Sequence, residues 1–394
     1  MNSKGYAAIL VAIIVIVAGV GAYVITSDSD SSEEKISKKY VEYDATKGWG
    51  SWDPILTNTH SSCMTGSAYI AQVAEYWYKT IYGEDPDYSR YTVDDVPDDF
   101  LKYDHLVTRN SDGTLTISSM VRDDAEYVPK TMTVSANPDY IICAGSFSTT
   151  VYSVLCEAMG KEFADYDPDV LKAFYSKIYA GDSGFITNLS TLYGIPSTDD
   201  KTSLKMSSCT NIMKYKEQYM EVFGDIKDSG KNVAFFGMAS VGSEAFDWMN
   251  EQMSIFDSYA LGFNVADLPA IMSGIEVIAN VLGYGDTAQD IVDNIRLKLY
   301  TISQEAKENE EKYDYTRSAL YINVDANKAR GTDTLANELM ELFGFQNVAT
   351  HSGNQEIKEE QVIVNQPDII IFVSELSPSD PNFDLKTALR VKDA

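Results

Sequence analysis

A long stretch without glycine or proline, residues 286–330, constrains the fold of this chain more than any other feature. In its first part apolar residues recur at steps of three and four, which is the spacing of one face of an α-helix. Asp286 follows a glycine and is the predicted N-cap, and the charged residues 305–312 predict a helix end that extends into solvent. We therefore predict one continuous helix over residues 286–312. Its apolar stripe consists of Ala288, Ile291, Val292, Ile295, Leu299, Ile302 and Ala306.

Short apolar strands alternate with helices on both sides of this long helix. The predicted strands are residues 140–144, 232–236, 260–265, 319–324 and 369–373, and the predicted helices between them are residues 150–159, 243–253 and 332–343. Strands that alternate with helices indicate a mainly parallel sheet covered by helices on both faces. The predicted fold class is therefore α/β, with two lobes of mainly parallel sheet joined by one long helix.

The N-terminus carries a predicted membrane anchor. No residue from 5 to 27 is charged, and residues 6–25 are long enough to cross a hydrocarbon core about 30 Å thick. The length of the run and its ending favour a retained transmembrane helix over a cleaved signal peptide. Lys4 precedes the run and acidic residues follow it, so the body is expected on the extracytoplasmic side of the cell membrane, held by a single pass.

The remaining chain divides by composition and pattern into further segments. A helix at residues 68–81 and a hairpin around residues 110–113 are predicted within a segment that is either a separate N-terminal module or an extension of the first lobe. The predicted organisation is an anchor (1–27), a polar stalk (28–39), this N-terminal segment (40–129), the first lobe (130–285), the linking helix (286–312) and the second lobe (313–394).

Charge and cysteine content exclude several classes of partner. A net charge of −28 repels phosphate backbones, so nucleic acid and anionic membrane surfaces are not expected to bind the body. The cysteines show no C-x-x-C spacing, which argues against a thiolate metal site. One or two disulfides, in any of the pairings that four cysteines allow, and buried thiols are both compatible with the sequence. The cysteines are Cys63, Cys143, Cys156 and Cys209.

The sequence contains no motif that predicts catalysis. Residues 181–184 read GDSG, like the nucleophile loop of chymotrypsin-like proteases, but that chemistry needs a histidine base and none of the three histidines has a supporting context. The sequence also has no G-x-S-x-G, H-E-x-x-H, phosphate-binding loop or dinucleotide-binding glycine motif. We therefore predict a binding protein without an enzymatic step, a cofactor or a protein-bound metal.

Candidate ligand residues follow from the expected architecture. Small molecules bind open α/β sheets beyond the carboxyl ends of the strands. Lys328 and Arg330 are cations near a strand end and would suit an anionic ligand, although solvated surface charges explain them equally well. His351 either ligates a metal or is simply exposed, and Phe147 and Met238 either line a pocket or belong to the core. The candidates are Ser146, Phe147, Ser148, Met238 and Ser240 in the first lobe, and Asn327, Lys328, Arg330 and His351 in the second.

Several segments resemble the solute-binding proteins of ABC importers that carry iron-siderophores, haem or cobalamin. In the first lobe the resemblance lies in PDYII at residues 138–142 and LCEAMG at residues 155–160. In the second lobe it lies in GFQNVA at residues 344–349 and EQVIVNQPDIII at residues 360–371. It covers roughly residues 130–394 and is more specific in the second lobe than in the first.

The resemblance implies two α/β lobes joined by one rigid helix, a metal chelate as the ligand and an ABC permease as the partner. It implies that Glu360 docks on an arginine of the permease. Val151 stands where the family has a second docking glutamate, so docking through both lobes is not expected. The family continues through a further strand and helix near residue 394, so the second lobe is expected to be incomplete or to be completed by another segment.

The preferred hypothesis is a membrane-tethered receptor that captures a metal chelate outside the cell and delivers it to an ABC permease. The first alternative is a cell-surface protein that uses the same fold for contacts with other proteins. The second is a chelatase-like enzyme on a related two-lobed fold. The sequence does not identify the chelate.

Overall fold

The computed structural model describes residues 53–56, 70–124, 126–143, 147–161, 168–181, 209–265, 267–323, 328–373 and 388–391. All of them belong to one compact unit, residues 38–394. The predicted anchor and stalk, residues 1–39, lie outside the described residues. Within the described ranges, no helix combines the length and the apolar character needed to span a bilayer.

A four-stranded parallel sheet forms the centre of the first lobe. Its strands are β5 (Tyr140–Cys143), β6 (Ile178–Gly181), β7 (Val233–Met238) and β8 (Tyr259–Phe263), in the spatial order β6-β5-β7-β8. All five residues of β8 and the first five of β7 are buried, as expected for strands covered on both faces. The prediction of a parallel sheet in this lobe is confirmed.

Five described helices cover the two faces of this sheet. They are α2 (Phe147–Ala158), α3 (Pro168–Lys177), α4 (Lys216–Asp228), α5 (Ser243–Met253) and α6 (Leu268–Val281). Helix α2 packs against α3 and α6, whereas α4 packs against α5. The predicted helices at residues 150–159 and 243–253 are both present, and the first begins three residues earlier than predicted.

A three-stranded antiparallel sheet precedes the first lobe in sequence. It consists of β2 (Val107–Arg109), β3 (Thr114–Asp123) and β4 (Glu126–Ser135), with β3 in the middle. The turn between β2 and β3 is the predicted hairpin, and Gly113 adopts a positive φ of 85° there. Gly113 suits this turn because a residue without a side chain adopts a positive φ without steric cost.

Strand β3 lies beside β8, the outermost strand of the parallel sheet. The Gly262 N–H donates to Ser119 Oγ at 2.8 Å, and the Tyr259 hydroxyl donates to the Ser135 carbonyl at 2.8 Å. An uncovered edge strand presents unpaired backbone groups that favour aggregation. The small sheet therefore protects this edge through side-chain contacts rather than through a continuous ladder.

The long helix, α7 (Ala288–Glu310), is unbroken, as predicted. Its N-cap is Thr287 rather than Asp286, because residues 285–287 form a short 3-10 turn before the helix begins. All seven residues of the predicted apolar stripe are buried. The prediction that the end of α7 is exposed to solvent is wrong in part, because Glu305 and Asn309 are only 5% and 8% exposed.

The end of α7 is buried because the preceding chain packs along it. Helix α1 (Ile70–Tyr82), predicted at residues 68–81, lies against α7. Residues 83–106, here called the strap, then follow α7 towards the first lobe. Arg90 contacts Glu308 at 2.7 Å and Glu305 at 3.3 Å, and Arg296 donates to the Phe100 carbonyl at 2.8 Å. These contacts tie the strap to both halves of the helix.

The second lobe has a mixed sheet rather than the mainly parallel sheet predicted for it. Strands β9 (Ser318–Asn323) and β13 (Ile369–Val373) are parallel neighbours, and β11 (Gln346–Asn347) is also parallel to β9. The other pairings are antiparallel. The remaining strands of this sheet are β1 (Asp53–Leu56), β10 (Lys328–Arg330), β12 (Asn354–Glu356) and β14 (Ala388–Val391). The spatial order of the strands is β1-β14-β13-β9-β10-β12, and β11 pairs only with β9.

The antiparallel pairings have a local cause. Only four residues separate β9 from β10, which is too short for the crossover that parallel strands need, so β10 returns as a hairpin. Strand β1, from the start of the described chain, pairs with β14 at the opposite side of the sheet. A segment that precedes the first lobe in sequence therefore forms one edge of the second sheet as described.

Helices α8 (Leu335–Leu342) and α9 (Glu359–Asn365) belong to the second lobe, and α8 packs against α7. One continuous hydrophobic core joins both lobes through α7. A smaller cluster, which includes Leu320 and Ile370, lies on the other face of the second sheet. The described parts of the two lobes are therefore in contact along the helix.

Candidate functional site

A cavity of about 410 Å³ lies at the carboxyl end of β8. Its walls come from residues 261–264 of the first lobe, residues 117–120 of β3, residues 102–104 and 106 of the strap, the N-terminal part of α6, and Glu338 on α8. Both lobes and the N-terminal segment therefore contribute to one site. Its position agrees with the rule that ligands bind open α/β sheets beyond the carboxyl ends of their strands.

The N-terminus of α6 forms the floor of this cavity. Asp267 is the N-cap, and its Oδ1 accepts from the Ala270 N–H at 2.7 Å. Pro269 lies in the first turn, where its missing N–H leaves no helical hydrogen bond unmade. The sequence Asp-Leu-Pro thus begins a helix directly after the strand and positions a carboxylate at the cavity.

Strand β3 forms the opposite wall through an unusually close backbone approach. A Cβ atom on Gly262 would lie 2.2 Å from the Met120 carbonyl oxygen, so only glycine fits at this position of β8. Ser119, which is 3% exposed, lies beside it and accepts from the Gly262 N–H. The shape of the cavity therefore depends on a glycine in the middle of a buried strand.

Glu338 links the second lobe to the first. Its Oε2 accepts from the Leu268 N–H, in the first turn of α6, at 2.6 Å. Burial raises the pKa of Glu338 to about 7, and the charges of Asp267 and Glu341 act in the same direction, while the Leu268 hydrogen bond opposes them. A carboxylate that accepts from a helix N-terminus is thus held between the lobes near its titration point.

Replacing Glu338 with glutamine is expected to stabilise the protein at high pH only. The folded pKa of about 7 lies above the ordinary value of 4.5, so the wild type loses stability relative to the variant as pH rises through this interval. We expect the variant to gain about 1–2 kcal/mol in free energy of unfolding at about pH 8.5 and nothing near pH 4. Urea denaturation across this range measures the difference, with the exposed Glu251→Gln as the control. A constant difference at all pH values would contradict the assignment.

Those predicted ligand residues of the first lobe that the structure describes do not line this cavity. Phe147 is 2% exposed and packs on Phe263, with ring centroids 5.0 Å apart, so it belongs to the core. Met238 ends β7 and is half-buried, and Ser240 is exposed on the following turn. Ser146 lies outside the described residues, and Ser148 lies in α2 with its side chain outside the description.

The predicted ligand residues of the second lobe lie together on and beside β10. Lys328 is exposed and Arg330 is half-buried, and alternation along the strand places both on the same face. His351 contacts the Ala329 carbonyl through Nε2 at 3.2 Å, so its ring packs on the same strand. Asn327 lies outside the described residues. Lys328, Arg330 and His351 are not among the residues that line the cavity, and their role in ligand binding stays a prediction.

Glu360 is the second residue of α9, and its side chain lies outside the described residues, so docking through it also stays a prediction. The buried cysteines Cys143 and Cys156 leave the question of disulfide pairing open, since Cys63 and the side chain of Cys209 lie outside the described residues. In the part of the chain that the structure describes, no group of three or more His, Cys, Asp or Glu side chains is arranged to hold a metal ion.

Sequence reasoning missed the charged residues that do line the cavity. These are Lys102, Asp104, Asp267 and Glu338. A helix-start signal marks Asp267, because it is an N-cap type of residue that lies two positions before a proline and shortly after a buried strand. No local signal marks Glu338, whose role depends on the contact between α8 and α6.

No protein-family model matches the sequence, and no curated protein is similar to it. Solved structures do match. A periplasmic solute-binding protein from Veillonella parvula has 13% identity and a TM-score of 0.44, covering 65% of this chain and 70% of that chain. A petrobactin-binding protein from Bacillus subtilis has 12% identity and a TM-score of 0.42, covering 66% and 77%.

CeuE from Helicobacter pylori, determined with Ni(II) bound, has 18% identity and a TM-score of 0.41, covering 66% of this chain and 74% of that chain. All three TM-scores are below 0.5.

Proposed function

We propose that this chain is an extracytoplasmic solute-binding protein that captures a metal chelate, such as an iron-siderophore, haem or cobalamin, for an ABC importer. The observation that supports this proposal is the 410 Å³ cavity at the carboxyl end of β8, to which both lobes contribute side chains. An unbroken helix, Ala288–Glu310, joins those lobes. A compact solute in this cavity would contact both lobes at once.

The cavity has the mixed character of a small-molecule site. Such sites are mostly apolar and carry a few polar groups that orient the ligand. Here the apolar wall is formed by Leu106, Ile117, Met120, Leu261, Phe263 and Val277, and the polar groups include Ser118, Asn264 and Glu338. The solute enters with its metal already chelated, so the protein supplies shape and charge rather than metal ligands.

Delivery of the solute involves two further parts of the chain. The apolar run at residues 6–25 tethers the body to the outer face of the cell membrane, close to the permease. Glu360, at the start of α9, docks on a permease arginine, as the family resemblance implies. No catalytic step is required, because capture and release need only binding and a modest movement of one lobe.

One observation favours the alternative of a surface protein that uses this fold for protein contacts. The strap is held to α7 at Arg90 and Arg296, and the hydrophobic core runs through α7 into both lobes. These contacts oppose large movements of one lobe against the other. A rigid body of this kind suits a protein that makes fixed contacts with partners, whereas a receptor built on it could close only slightly.

Thermal shift measurements with ferric siderophores, haem and cobalamin test the proposal. We expect one of these chelates to raise the unfolding midpoint of the purified full-length chain, because a ligand at a hundred times its Kd stabilises the folded state by about 2.7 kcal/mol. Ala270→Trp fills the cavity and is expected to abolish the shift. Ala158→Trp, on a helix of the same lobe but outside the cavity, serves as the matched control.

The proposal would be abandoned if no chelate in this panel stabilised the wild type. Recovery of a large envelope protein in a pull-down, together with that negative result, would support the contact protein instead. A thermal shift that persists in Ala270→Trp would indicate that the chelate binds outside this cavity.

A further inference from the structure

The charged groups that line the cavity are mostly negative. Three carboxylates, those of Asp104, Asp267 and Glu338, share its lining with one amine, that of Lys102. Lys102 and Asp104 are exposed at the strap, whereas Asp267 and Glu338 are partly buried at the N-terminus of α6. With the carboxyl groups ionised, the lining therefore carries an excess of negative charge, and the inner part of the cavity carries no positive side chain among the lining residues.

The two inner carboxylates come from different lobes and retain free bonding capacity. Glu338 accepts from Leu268 through Oε2, and Asp267 accepts from Ala270 through Oδ1. A carboxylate has two oxygens with about four lone-pair sites, so these single hydrogen bonds leave acceptor capacity on each group. A donor group on a ligand could therefore bridge the two lobes through these acceptors.

The charge of Asp267 also destabilises the ionised form of Glu338. Burial is the largest cause of the raised pKa of Glu338, and the charge of Asp267, across the lobe contact, adds to it together with Glu341 on the same helix. The hydrogen bond from the Leu268 N–H offsets only part of this effect. A positive charge placed between them would relieve it, whereas a negative charge would add to it.

We infer that this cavity selects a solute that combines a positive charge with an apolar body, and that Glu338 and Asp267 bind the charge. This inference rests on the proposed function and specifies the ligand class, a cationic chelate rather than an anionic one. It places ligand recognition away from Lys328 and Arg330, the cations that favour an anionic ligand. The apolar wall accommodates the remainder of the solute.

Two inert cobalt complexes of similar shape and opposite charge test this inference. The probes are tris(ethylenediamine)cobalt(III), a trication, and tris(oxalato)cobaltate(III), a trianion, titrated calorimetrically into the full-length chain at pH 8. A background of about 0.5 M sodium chloride shortens the Debye length to about 4 Å and suppresses binding to the acidic surface. We expect saturable binding of the trication to one site and no detectable binding of the trianion.

Isosteric variants locate the site. The pair Glu338→Gln and Asp267→Asn removes both charges while retaining a hydrogen-bond acceptor and a good N-cap residue. We expect the double variant to lower the affinity for the trication at least tenfold. Glu251→Gln, which removes one exposed charge from α5, is the control and is expected to change the affinity less than twofold.

The outcomes separate this inference from the proposed function. Absence of saturable trication binding, or equal affinity in the double variant and the wild type, overturns the inference. Tighter binding of the trianion also overturns it. The panel of siderophores, haem and cobalamin then tests the proposed function independently. If an anionic chelate stabilises the protein, the receptor function stands and only the inferred positive charge of the ligand is wrong.

Discussion

Replacement of Glu310 with alanine is expected to lower the free energy of unfolding by about 3–5 kcal/mol, because it leaves the buried Arg317 guanidinium without its partner. The side chains of Arg317 and Glu310 are only 5% and 11% exposed. Arg317 donates to Glu310 through Nε at 2.9 Å and through Nη2, and the Tyr82 hydroxyl donates to Glu310 at 2.7 Å. The carboxylate therefore holds a two-point ion pair and a tyrosine in place.

This cluster joins three parts of the fold at one point. Glu310 ends α7, Arg317 leads into β9, and Tyr82 ends α1. The Arg317 guanidinium also lies over the Tyr313 ring, 4.3 Å from its centroid, so the cation is enclosed on its flat face. Loss of the Glu310 carboxylate would leave the buried positive charge of Arg317 uncompensated at the junction between the long helix and the second lobe.

Urea denaturation of the full-length chain measures this loss, and the neighbouring residue provides a matched control. Glu311 is exposed directly after the helix, so Glu311→Ala should change stability by no more than about 0.5 kcal/mol. Glu310→Gln, which keeps an acceptor but not the charge, should fall between the two. If Glu310→Ala and Glu311→Ala were equally stable, the ion pair would not support this junction.

The sequence predicts those parts of the fold that depend on local pattern. Periodicity alone located the stripe on α7, because all of its residues face one continuous core. The strand–helix alternation located β5, β7 and β8, whose apolar runs are typical of strands buried on both faces. Turn chemistry located the hairpin before β3, since Gly113 provides the positive φ that the turn requires.

Features that depend on distant contacts escaped prediction. The charged end of α7 reads as solvent-exposed, but Glu305 is buried because the Asp87 N–H and Arg90 of the strap donate to it. Lys328 and Arg330 lie on β10, which returns as a hairpin, and neither lines the cavity, so their role in binding an anionic ligand stays a prediction. The sequence pattern around Glu338 is that of an ordinary residue on the surface of a helix. Its contact with the first turn of α6 is visible only in the structure.

Replacement of Gly262 with alanine is expected to lower the free energy of unfolding by roughly 2–4 kcal/mol, from overpacking together with the loss of a buried hydrogen bond. The added Cβ would lie 2.2 Å from the Met120 carbonyl oxygen and 3.1 Å from the Phe246 ring. Backbone at Met120 must move to relieve the first of these contacts. That movement separates the Gly262 N–H from Ser119 Oγ, now 2.8 Å apart.

The same substitution at Gly224 is a control with the opposite expected sign. Gly224 lies within α4, and its added Cβ would meet no atom within 4 Å, so Gly224→Ala should stabilise the protein by about 0.5–1 kcal/mol. Hydrogen exchange distinguishes a local effect from a general one. In Gly262→Ala the amides of β3 should lose protection before those of β7.

The functional consequence follows from the position of β3. Residues 117–120 form one wall of the cavity, so displacement of this strand should weaken solute binding in Gly262→Ala even at temperatures where the protein remains folded. Gly224→Ala should bind the solute as the wild type does. If Gly262→Ala kept full affinity while β3 lost its protection, the wall formed by β3 would not belong to the binding site, and the solute would have to lie on the α6 side alone.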